Sequence, residues 1–361
     1  MAQRLPHIYI AISGHGLGHV TRTLAVIQEL VALQPHLQLT LATEVPPTVL
    51  QRYLDKPFAH RPVRLDVGVV QRDSLIQDLE ATRSALATLA QQSEIRVQQE
   101  ADYMQKTGVN LIFADIPALA GLIAQKVGIP CWMASNFGWD FIYRHWGNDF
   151  RELADQYAQG YRYCQRLFRL PFCEEMSTFP SKIDVGLTGQ NPRFPVEIIR
   201  HKLEISTPLE RTVLLAFGGF GVQGIPYQDL DQFPDWCFLS FDPQAPPLPN
   251  LRRCLDSPYR PADVMPLCGK VVTKPGYSTY SEAYRLGIPI YSLERRGFAE
   301  ADLLLKGLAK YCYHRVIPVA DFYTRPWEFL RLEPLPPHAP DRLATDGNHQ
   351  IAQALSDALC L

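Results

Sequence analysis

The sequence lacks the features that mark several large classes of protein. None of its eight cysteines belongs to a CxxC pair, so neither a disulfide framework nor a zinc site is the expected use of its sulfur. Its net charge of -2 supplies no basic field for nucleic acid. No stretch approaches the roughly 20 uninterrupted apolar residues of a membrane-spanning helix. These absences favour a cytoplasmic globular protein with reduced cysteines, and they leave peripheral contact with a membrane open.

The sequence does contain an alternation of strand and helix patterns that occurs twice. A length of 361 residues exceeds what a single hydrophobic core usually serves. The first half alternates short apolar runs with helical patterns, and the same order restarts at TVLLAFGG, residues 212–219. Such alternation indicates parallel sheets that are covered by helices on both faces. We therefore expect an α/β protein with two domains.

The boundary between the domains is expected in GLTGQNPRFP, residues 186–195, which is rich in glycine and proline and has no periodicity. This boundary gives an N-terminal domain at residues 1–187 and a C-terminal domain at residues 188–347. A second proline-rich stretch then precedes an amphipathic segment. We expect residues 348–361 to hold a separate C-terminal helix.

SGHGLGHVTRTL, residues 13–24, joins the first strand to the first helix and carries three glycines and two histidines. Glycines at the carboxyl edge of a parallel sheet let a ligand approach the backbone, and a helix N-terminus favours negative charge. The spacing is not the G-x-G-x-x-G of dinucleotide sites, and the Lys-Ser/Thr of a P-loop is missing. His19 is expected at the first helical position, where the helix dipole favours a neutral imidazole that can act as a base. The alternative is a polar turn in which His15 and His19 bond only to backbone.

KPGYSTYSEAYRLGIP, residues 274–289, ends one strand, turns at a Pro-Gly pair and begins a helix. The free N–H groups of that helix end, together with the hydroxyl groups of Ser278 and Thr279, suit a diphosphate. A capping box formed by Thr279 and Glu282 explains the same residues without a ligand. Spacing alone leaves both interpretations open.

A family resemblance bears on both loops. The segments that carry it are SGHGLGHVTRTL, LDVGVVQRDSL, FADIPALAGLIAQKVGIP, SNFGWDFIY, RLPFCEEM, FGG and KPGYSTYSEAYRLGIP. In these segments the chain resembles the GT-B glycosyltransferases, and over most of its length it resembles the glycosyltransferase-like N-terminal region of plant L-arabinokinase. A more distant resemblance to the MurG-type transferases covers the G-x-G-H turn, GQNPR and SEAYRLGIP. The kinase half of the plant protein has no counterpart in this sequence, so sugar phosphorylation is not expected.

The resemblance implies a GT-B architecture, in which two Rossmann-like domains face a cleft and the C-terminal helix packs back on the N-terminal domain. It places the nucleotide sugar on the C-terminal domain, with glycine turns at the diphosphate and Glu282 at the ribose hydroxyls. The residues expected to bind the donor are Gly16, Gly18, Gly218, Gly219, Lys274, Gly276, Tyr277, Ser278, Thr279, Glu282 and Glu300. Asp302 is expected near the donor sugar from its position alone.

Two residues compete for the role of catalytic base. His19 matches the histidine of the MurG-type turn, and Asp140 in SNFGWDFIY is the alternative, unless Asp140 only begins a helix that Asn136 caps. Asp115 ends a strand at the same edge, although turns often hold an aspartate there for local hydrogen bonds. Arg22, one turn into the first helix, is placed to approach a phosphate or an anionic acceptor.

The sequence thus favours an inverting, metal-independent transfer of a sugar from a nucleotide diphosphate donor, expected to be UDP-linked, to an unidentified hydroxyl acceptor. No cofactor is expected, because helix dipoles and N–H donors can take up the charge of the leaving group. DLD, residues 229–231, is a formal D-x-D motif but is expected in a polar loop rather than at a strand end. A sugar-nucleotide sensor without activity and a sugar-nucleotide epimerase are the alternatives.

Overall fold

In the computed structural model, which describes residues 5–219, 221–255 and 257–360, the first half of the chain forms a parallel sheet of seven strands. The strand order is β3-β2-β1-β4-β5-β6-β7. The strands are β1 (His7–Ile12), β2 (Gln38–Ala42), β3 (Ala59–Arg61), β4 (Leu111–Asp115), β5 (Cys131–Ser135), β6 (Arg166–Arg169) and β7 (Lys182–Asp184). The helices between them are α1 (Leu17–Leu33), α2 (Pro47–Leu50), α3 (Leu79–Thr107), α4 (Leu119–Val127), α5 (Trp139–His145) and α6 (Arg151–Tyr161).

The second half forms a parallel sheet of six strands in the order β10-β9-β8-β11-β12-β13. Its strands are β8 (Thr212–Ala216), β9 (Cys237–Ser240), β10 (Leu251–Arg253), β11 (Lys270–Thr273), β12 (Ile290–Leu293) and β13 (His314–Ile317). The helices of this half are α7 (Val196–Lys202), α8 (Pro261–Val264), α9 (Tyr277–Arg285), α10 (Ala299–Tyr311), α11 (Val319–Thr324) and α12 (Gly347–Leu359).

The first sheet is buried on both faces. All six residues of β1 are buried; Ile8, Ile10 and Ile12 pack into one core, and Tyr9 and Ala11 pack into another on the opposite face. A parallel sheet that is covered by helices on both sides requires continuous apolar strands of this kind. The structure confirms the predicted α/β class, with one parallel sheet in each half of the chain.

The longest helix, α3, lies on the surface of the first half. It begins after Asp78, whose side chain accepts the backbone N–H of Ala81, and it ends at Gly108 in a left-handed conformation with a φ of 72°. Its 29 residues include many that are polar and exposed. Within the described ranges, no helix combines the length and the apolar character that crossing a membrane would need.

The first glycine turn differs in detail from the prediction. α1 begins at Leu17, with Gly16 as the residue before its first turn, so His19 is the third helical residue rather than the first. Gly16 has a φ of 73°, a conformation that side chains disfavour. A Cβ atom on Gly14 would meet no atom of a described residue within 4 Å. The turn therefore needs glycine at position 16 for its backbone, and packing does not require one at position 14.

The structure of the second loop, residues 274–289, contradicts one of the two interpretations of its sequence, the capping box. α9 begins at Tyr277, follows Gly276 and has no side-chain capping hydrogen bond. Thr279 and Glu282 both lie inside the helix. The capping box proposed for these two residues is therefore wrong, because the helix begins before the position that Thr279 would have to cap.

The end of the chain returns to the first half. α12 packs along α1, and Gln34 Nε2 donates a hydrogen bond to Ser356 Oγ at 2.9 Å. Where the chain crosses back, Gly347 lies so close to the carbonyl oxygen of Gly186 that a Cβ atom on Gly347 would overlap with it. Leu355 is fully buried in a core that includes residues of α1. The linker and this helix therefore both join the two halves.

We expect Leu355→Ala to lower the free energy of unfolding by about 2–5 kcal/mol, the usual effect of truncating a buried leucine. The matched control is Gln353→Ala on the exposed face of α12, which should change stability by no more than about 0.5 kcal/mol. Urea unfolding of both variants measures the difference. If Leu355→Ala were as stable as the wild type, α12 would not be packed on α1 in solution.

Candidate active site

The turns of the two halves meet across the cleft between the sheets. Ser278 Oγ, in the first turn of α9, donates a hydrogen bond to the carbonyl oxygen of Gly18, in the first turn of α1, at 2.9 Å. A Cβ atom on Gly219 would lie 3.0 Å from Leu17 Cγ. The structure thus brings together the glycine turns that the sequence analysis named separately, at the carboxyl edges of both sheets.

His19 and Asp115 come together because β1 and β4 are neighbours. The two strands pair in parallel with Ile12 beside Asp115, and the turn after β1 leads to His19. His19 Nδ1 lies 2.9 Å from Asp115 Oδ1, and both residues are buried. The sequence pattern predicts a base at His19 and only a strand end at Asp115, because their contact depends on the strand order.

Arg22 holds both oxygens of the Asp115 carboxylate. Its Nε donates to Oδ2 and its Nη2 donates to Oδ1, each at 2.5 Å. Thr23 Oγ1 donates a further hydrogen bond to Oδ2 at 3.0 Å. Burial alone would raise the pKa of Asp115, but Arg22 and His19 together lower it to about 2. Asp115 is therefore an ionised carboxylate at neutral pH although it is buried.

The ionised state of Asp115 decides which nitrogen of His19 carries the proton. A carboxylate only accepts hydrogen bonds, so the contact with Oδ1 requires a proton on Nδ1. Arg22 Nη2 also lies 3.0 Å from His19 Nδ1. The hydrogen atoms of Arg22 Nη2, however, are donated to Asp115 Oδ1 and, at 3.1 Å, to Ser135 Oγ. In the neutral imidazole, the lone pair is then on Nε2. This tautomer can take a proton from a hydroxyl group.

Aromatic rings and a second carboxyl group surround His19. The ring centroids of Phe137 and Trp139 both lie 6.0 Å from that of His19. Trp139 Nε1 donates a hydrogen bond to Asp66 Oδ2 at 2.9 Å, and burial raises the pKa of Asp66 to about 6. Asp66 is not among the residues that the sequence pattern indicates for the site. Its segment, LDVGVVQRDSL, contributes to the family resemblance, but its local pattern contains no signal for a site.

Gly68, in the same segment, makes room for His15. It has a φ of 64°, and a Cβ atom there would overlap with the side chain of His15. The next residue, Val69, donates its backbone N–H to His15 Nδ1 at 3.2 Å. Burial lowers the pKa of His15 well below its usual value, and nearby cationic side chains lower it further. His15 is therefore neutral, and its Nδ1 bonds to backbone as the simpler interpretation of the turn expected.

Asp140, the alternative base, has a different set of partners. Its Oδ2 accepts a hydrogen bond from Thr178 Oγ1 at 2.7 Å and lies 3.6 Å from Arg144 Nη1. Burial raises the pKa of this carboxyl group. α5 begins without a side-chain cap, so the idea that Asn136 caps it is wrong. A catalytic role for Asp140 stays a prediction, and its observed contacts favour His19 instead.

Asn136 links the His19 cluster to the second half of the chain. Its Oδ1 accepts a hydrogen bond from Arg22 Nη1 at 2.8 Å, and its Nδ2 donates to Glu300 Oε1 at 3.0 Å. Glu300 lies in the first turn of α10. A continuous series of polar contacts therefore runs from His19 through Asp115, Arg22 and Asn136 to Glu300.

Two of the residues that were expected to bind the nucleotide-sugar donor form hydrogen bonds with the linker instead. Glu282 Oε1 accepts the backbone N–H of Gln190 at 3.0 Å, and the hydroxyl oxygen of Tyr277 accepts the backbone N–H of Thr188 at 3.1 Å. The guanidinium of Arg22 lies over the Tyr277 ring, 5.1 Å from its centroid. Burial raises the pKa of Glu282 to about 7 despite the hydrogen bond from Gln190. A ribose contact for Glu282 stays a prediction.

Other expected donor residues lie at strand ends of the second sheet. Gly218, with a φ of 77°, follows β8, and a Cβ atom there would lie 3.6 Å from Lys274 Cε. Burial lowers the pKa of Lys274, which follows β11, to about 8.

Thr279 is half-buried on α9 and Asp302 is exposed on α10. DLD lies in a short 3-10 helix, Tyr227–Gln232, rather than at a strand end.

Glu282→Gln is expected to stabilise the protein at pH 8, by on the order of 1–3 kcal/mol, and to change its stability little near pH 4. The folded protein keeps a proton on Glu282 up to a pH of about 7, above the value of 4.5 for an unperturbed glutamate. The stability gained from this proton is present below the unfolded pKa and is lost as the pH rises through the folded pKa. Glutamine stays neutral and keeps an oxygen for the N–H of Gln190.

Urea unfolding at both pH values measures this effect. Glu197→Gln, an exposed position on α7, is the control and should show no such difference between pH 4 and pH 8. A Glu282→Gln variant less stable than the wild type at pH 8 would contradict the expectation.

Comparison with known proteins finds one relative with a similar sequence. No protein-family model matches the chain. The chain is 29% identical over 311 residues to L-arabinokinase of Arabidopsis thaliana, and the match covers 83% of this chain and 29% of that protein. This chain therefore spans less than a third of the length of that relative.

Solved structures resemble the whole fold. A UDP-glucosyltransferase from Polygonum tinctorium matches with a TM-score of 0.61 and 16% identity, covering 100% of this chain and 94% of that one. Phytolacca americana UGT2, solved with UDP-2fluoro-glucose and pterostilbene, matches with a TM-score of 0.61 and 14% identity, covering 98% and 94% of the two chains. The two sheets, their facing turns and these neighbours lead to one conclusion. The chain has the GT-B glycosyltransferase fold, with two Rossmann-like domains that face a common cleft, and it is related in sequence to plant L-arabinokinase.

Proposed function

We propose that this protein transfers a sugar from a nucleotide diphosphate donor to a hydroxyl group of an acceptor, with His19 as the base. The observation that carries the proposal is the contact between His19 Nδ1 and Asp115 Oδ1 at 2.9 Å, at the carboxyl edge of the first sheet. The fold shared with a UDP-glucosyltransferase supports the same reaction class and favours a UDP-linked donor.

The proposed reaction inverts the configuration of the sugar. The acceptor oxygen attacks the anomeric carbon from the face opposite the diphosphate. As the new C–O bond forms, the bond from the anomeric carbon to the phosphate oxygen breaks, and its electron pair stays on the diphosphate. The hydroxyl proton passes to His19 Nε2. Asp115 keeps the imidazole in orientation and stabilises the imidazolium that results, while Arg22 holds Asp115 in place.

The second sheet supplies partners for the leaving group in this proposal. The backbone N–H groups in the first turn of α9 are free of side-chain caps, and the positive end of the helix dipole lies there. The turns after β8 and β11 bring Gly218 and Lys274 to the same edge. Fixed donors of this kind stabilise developing negative charge. We therefore propose a metal-independent reaction that needs no cofactor besides the nucleotide sugar as substrate.

The geometry favours transfer over the two alternatives. An epimerase would need several carboxylates around the donor sugar. The candidates are Glu300, Asp302 and Asp115, but Asp302 is exposed, Glu300 accepts a hydrogen bond from Asn136, and Asp115 is held by Arg22, Thr23 and His19. An imidazole oriented by a buried carboxylate suits proton transfer, which a sensor without activity does not need. Turnover of a nucleotide sugar would separate the transferase from the sensor, and donor consumption without an acceptor would indicate the epimerase.

We expect His19→Ala to lower the rate of transfer by roughly 10²- to 10⁴-fold, the usual loss when an acid–base group is removed. Donor affinity should stay within about twofold of the wild type, because the donor is proposed to bind on the other sheet. A screen of nucleotide sugars by thermal stabilisation first identifies the donor, since a ligand at a hundredfold excess over its Kd stabilises by about 2.7 kcal/mol. Nucleotide release with a matching acceptor then measures the rate.

Asp140→Asn is the matched comparison for this experiment. If Asp140 has a structural role with Thr178, its variant should lose stability and keep most of its rate. A His19→Ala enzyme that works at the full rate would overturn the assignment of the base. An Asp140→Asn enzyme that folds normally and has lost its activity would transfer the role to Asp140.

A further inference from the structure

Arg295 is a buried cation with incomplete hydrogen bonding. It follows β12 by two residues, and it is 4% exposed. Its Nε and Nη2 atoms make no hydrogen bond to any residue in the described part of the chain. Its guanidinium lies over the ring of Phe298, with Cζ 4.1 Å from the ring centroid. This stacking holds the plane of the group but gives its N–H donors no acceptor.

The two unpaired nitrogens form one edge of the guanidinium. On that edge, two N–H groups point in parallel and match the two oxygens of a carboxylate or a phosphate. The same pair of atoms on Arg22, Nε and Nη2, holds both oxygens of Asp115 at 2.5 Å. Arg295 therefore presents the same fork as Arg22, without an anion in it.

A second cation, Lys274, lies at the neighbouring strand end and interacts electrostatically with Arg295. Lys274 follows β11, the strand next to β12, and its Cε approaches the turn at Gly218, which follows β8. Three consecutive strand ends thus carry a glycine turn, a lysine and an arginine in one row. Burial and the charge of Arg295 lower the pKa of Lys274 to about 8. The two cations repel each other, so an anion between them would be favoured.

The carboxylates that act on Arg295 have other partners. Glu300 accepts a hydrogen bond from Asn136 Nδ2 at 3.0 Å. Asp73 accepts two backbone N–H groups of its own loop, at 2.8 and 2.9 Å. Neither one is hydrogen-bonded to the free edge of the arginine. Both reduce the net positive charge of the region but leave the fork without an acceptor.

Residues of the first half close over this region. Ser74 Oγ donates a hydrogen bond to the carbonyl oxygen of Phe217 at 3.0 Å, and Gln77 Nε2 donates to that of Gly297 at 2.6 Å. Arg295 is buried near these contacts, and burying a charged group without full hydrogen bonding costs free energy. A buried donor pair without an acceptor needs an explanation, and a bound ion is one of the recognised explanations.

We propose that Arg295, with Lys274 beside it, is an oxyanion-binding site for the donor, in which the Nε–Nη2 edge holds two oxygens of a phosphate or of a carboxylate on the sugar. The identity of the ligand as a nucleotide sugar rests on the proposed function. If the oxygens belong to a phosphate, Arg295 is needed for every nucleotide diphosphate. If they belong to a sugar carboxylate, Arg295 selects a uronic acid as the transferred sugar.

The test measures Kd by isothermal titration for the wild type, Arg295→Met and Arg296→Met. Methionine keeps much of the length of arginine and removes the charge. Arg296 is the matched control, because it is the next residue and its side chain is 92% exposed. The probes are inorganic pyrophosphate, UDP, UDP-glucose and UDP-glucuronate, which separate the contributions of phosphate, base and sugar carboxylate.

For a phosphate ligand, Arg295→Met should weaken pyrophosphate and UDP binding by about tenfold or more, which corresponds to about 1.4 kcal/mol. For a carboxylate ligand, the wild type should prefer UDP-glucuronate to UDP-glucose by about tenfold, and Arg295→Met should lose that preference while its UDP affinity is unchanged. Arg296→Met should behave as the wild type with all four probes. The melting temperature of ligand-free Arg295→Met should not fall, because the variant removes an unpaired buried charge.

Equal affinities of the wild type and Arg295→Met for all four probes would overturn the oxyanion site, and so would a wild type that binds none of them. If Arg295→Met does not fold, Arg295→Gln provides a neutral side chain that still donates hydrogen bonds, and the same comparisons apply to it. Binding of pyrophosphate that depends on Arg295, in a protein that turns over no donor, would support this site and refute the transferase.

Discussion

The buried ion pair between Arg22 and Asp115 is the interaction on which the rest of the candidate site depends. It joins the first helix to the end of β4, and it keeps Asp115 ionised in a place where burial alone would favour the neutral acid. The ionised carboxylate then orients His19, and Arg22 Nη1 donates a further hydrogen bond to Asn136 Oδ1. Removing either partner of such a pair leaves an uncompensated buried charge, typically at a cost of about 3–5 kcal/mol.

Two buried arginines lie at the same cleft with different degrees of hydrogen bonding. Arg22 lies on α1 in the first half of the chain, and Asp115 fills its fork. Arg295 follows β12 in the second half, and the corresponding edge of its guanidinium is unpaired among the described residues. Arg22 holds the carboxylate that orients His19, and Arg295 provides positive charge where the donor is proposed to bind. In the proposed reaction, the first half therefore accepts the proton and the second half stabilises the leaving group.

The linker takes part in this arrangement as more than a connection. Gln190 donates its backbone N–H to Glu282 and its side-chain Nε2 to the carbonyl oxygen of Thr21, at 2.7 Å. Its Oε1 accepts a hydrogen bond from Arg260 Nη1 at 2.5 Å. One residue of the linker therefore bonds to both halves. The sequence shows this segment as a glycine- and proline-rich break, and it contains no signal that the break would be tied to α1 and α9.

The sequence by itself determined the α/β class and the place of the two glycine turns, because strands buried on both faces must be apolar throughout and ligand-binding turns follow their carboxyl ends. Only the tertiary structure decided which side chains meet. Asp115 contacts His19 because β4 lies beside β1, and Gly68 reaches His15 from a loop without any local pattern. Arg295 and Arg296 are equivalent in sequence; burial distinguishes them, since it depends on which loops of the other half close over each side chain.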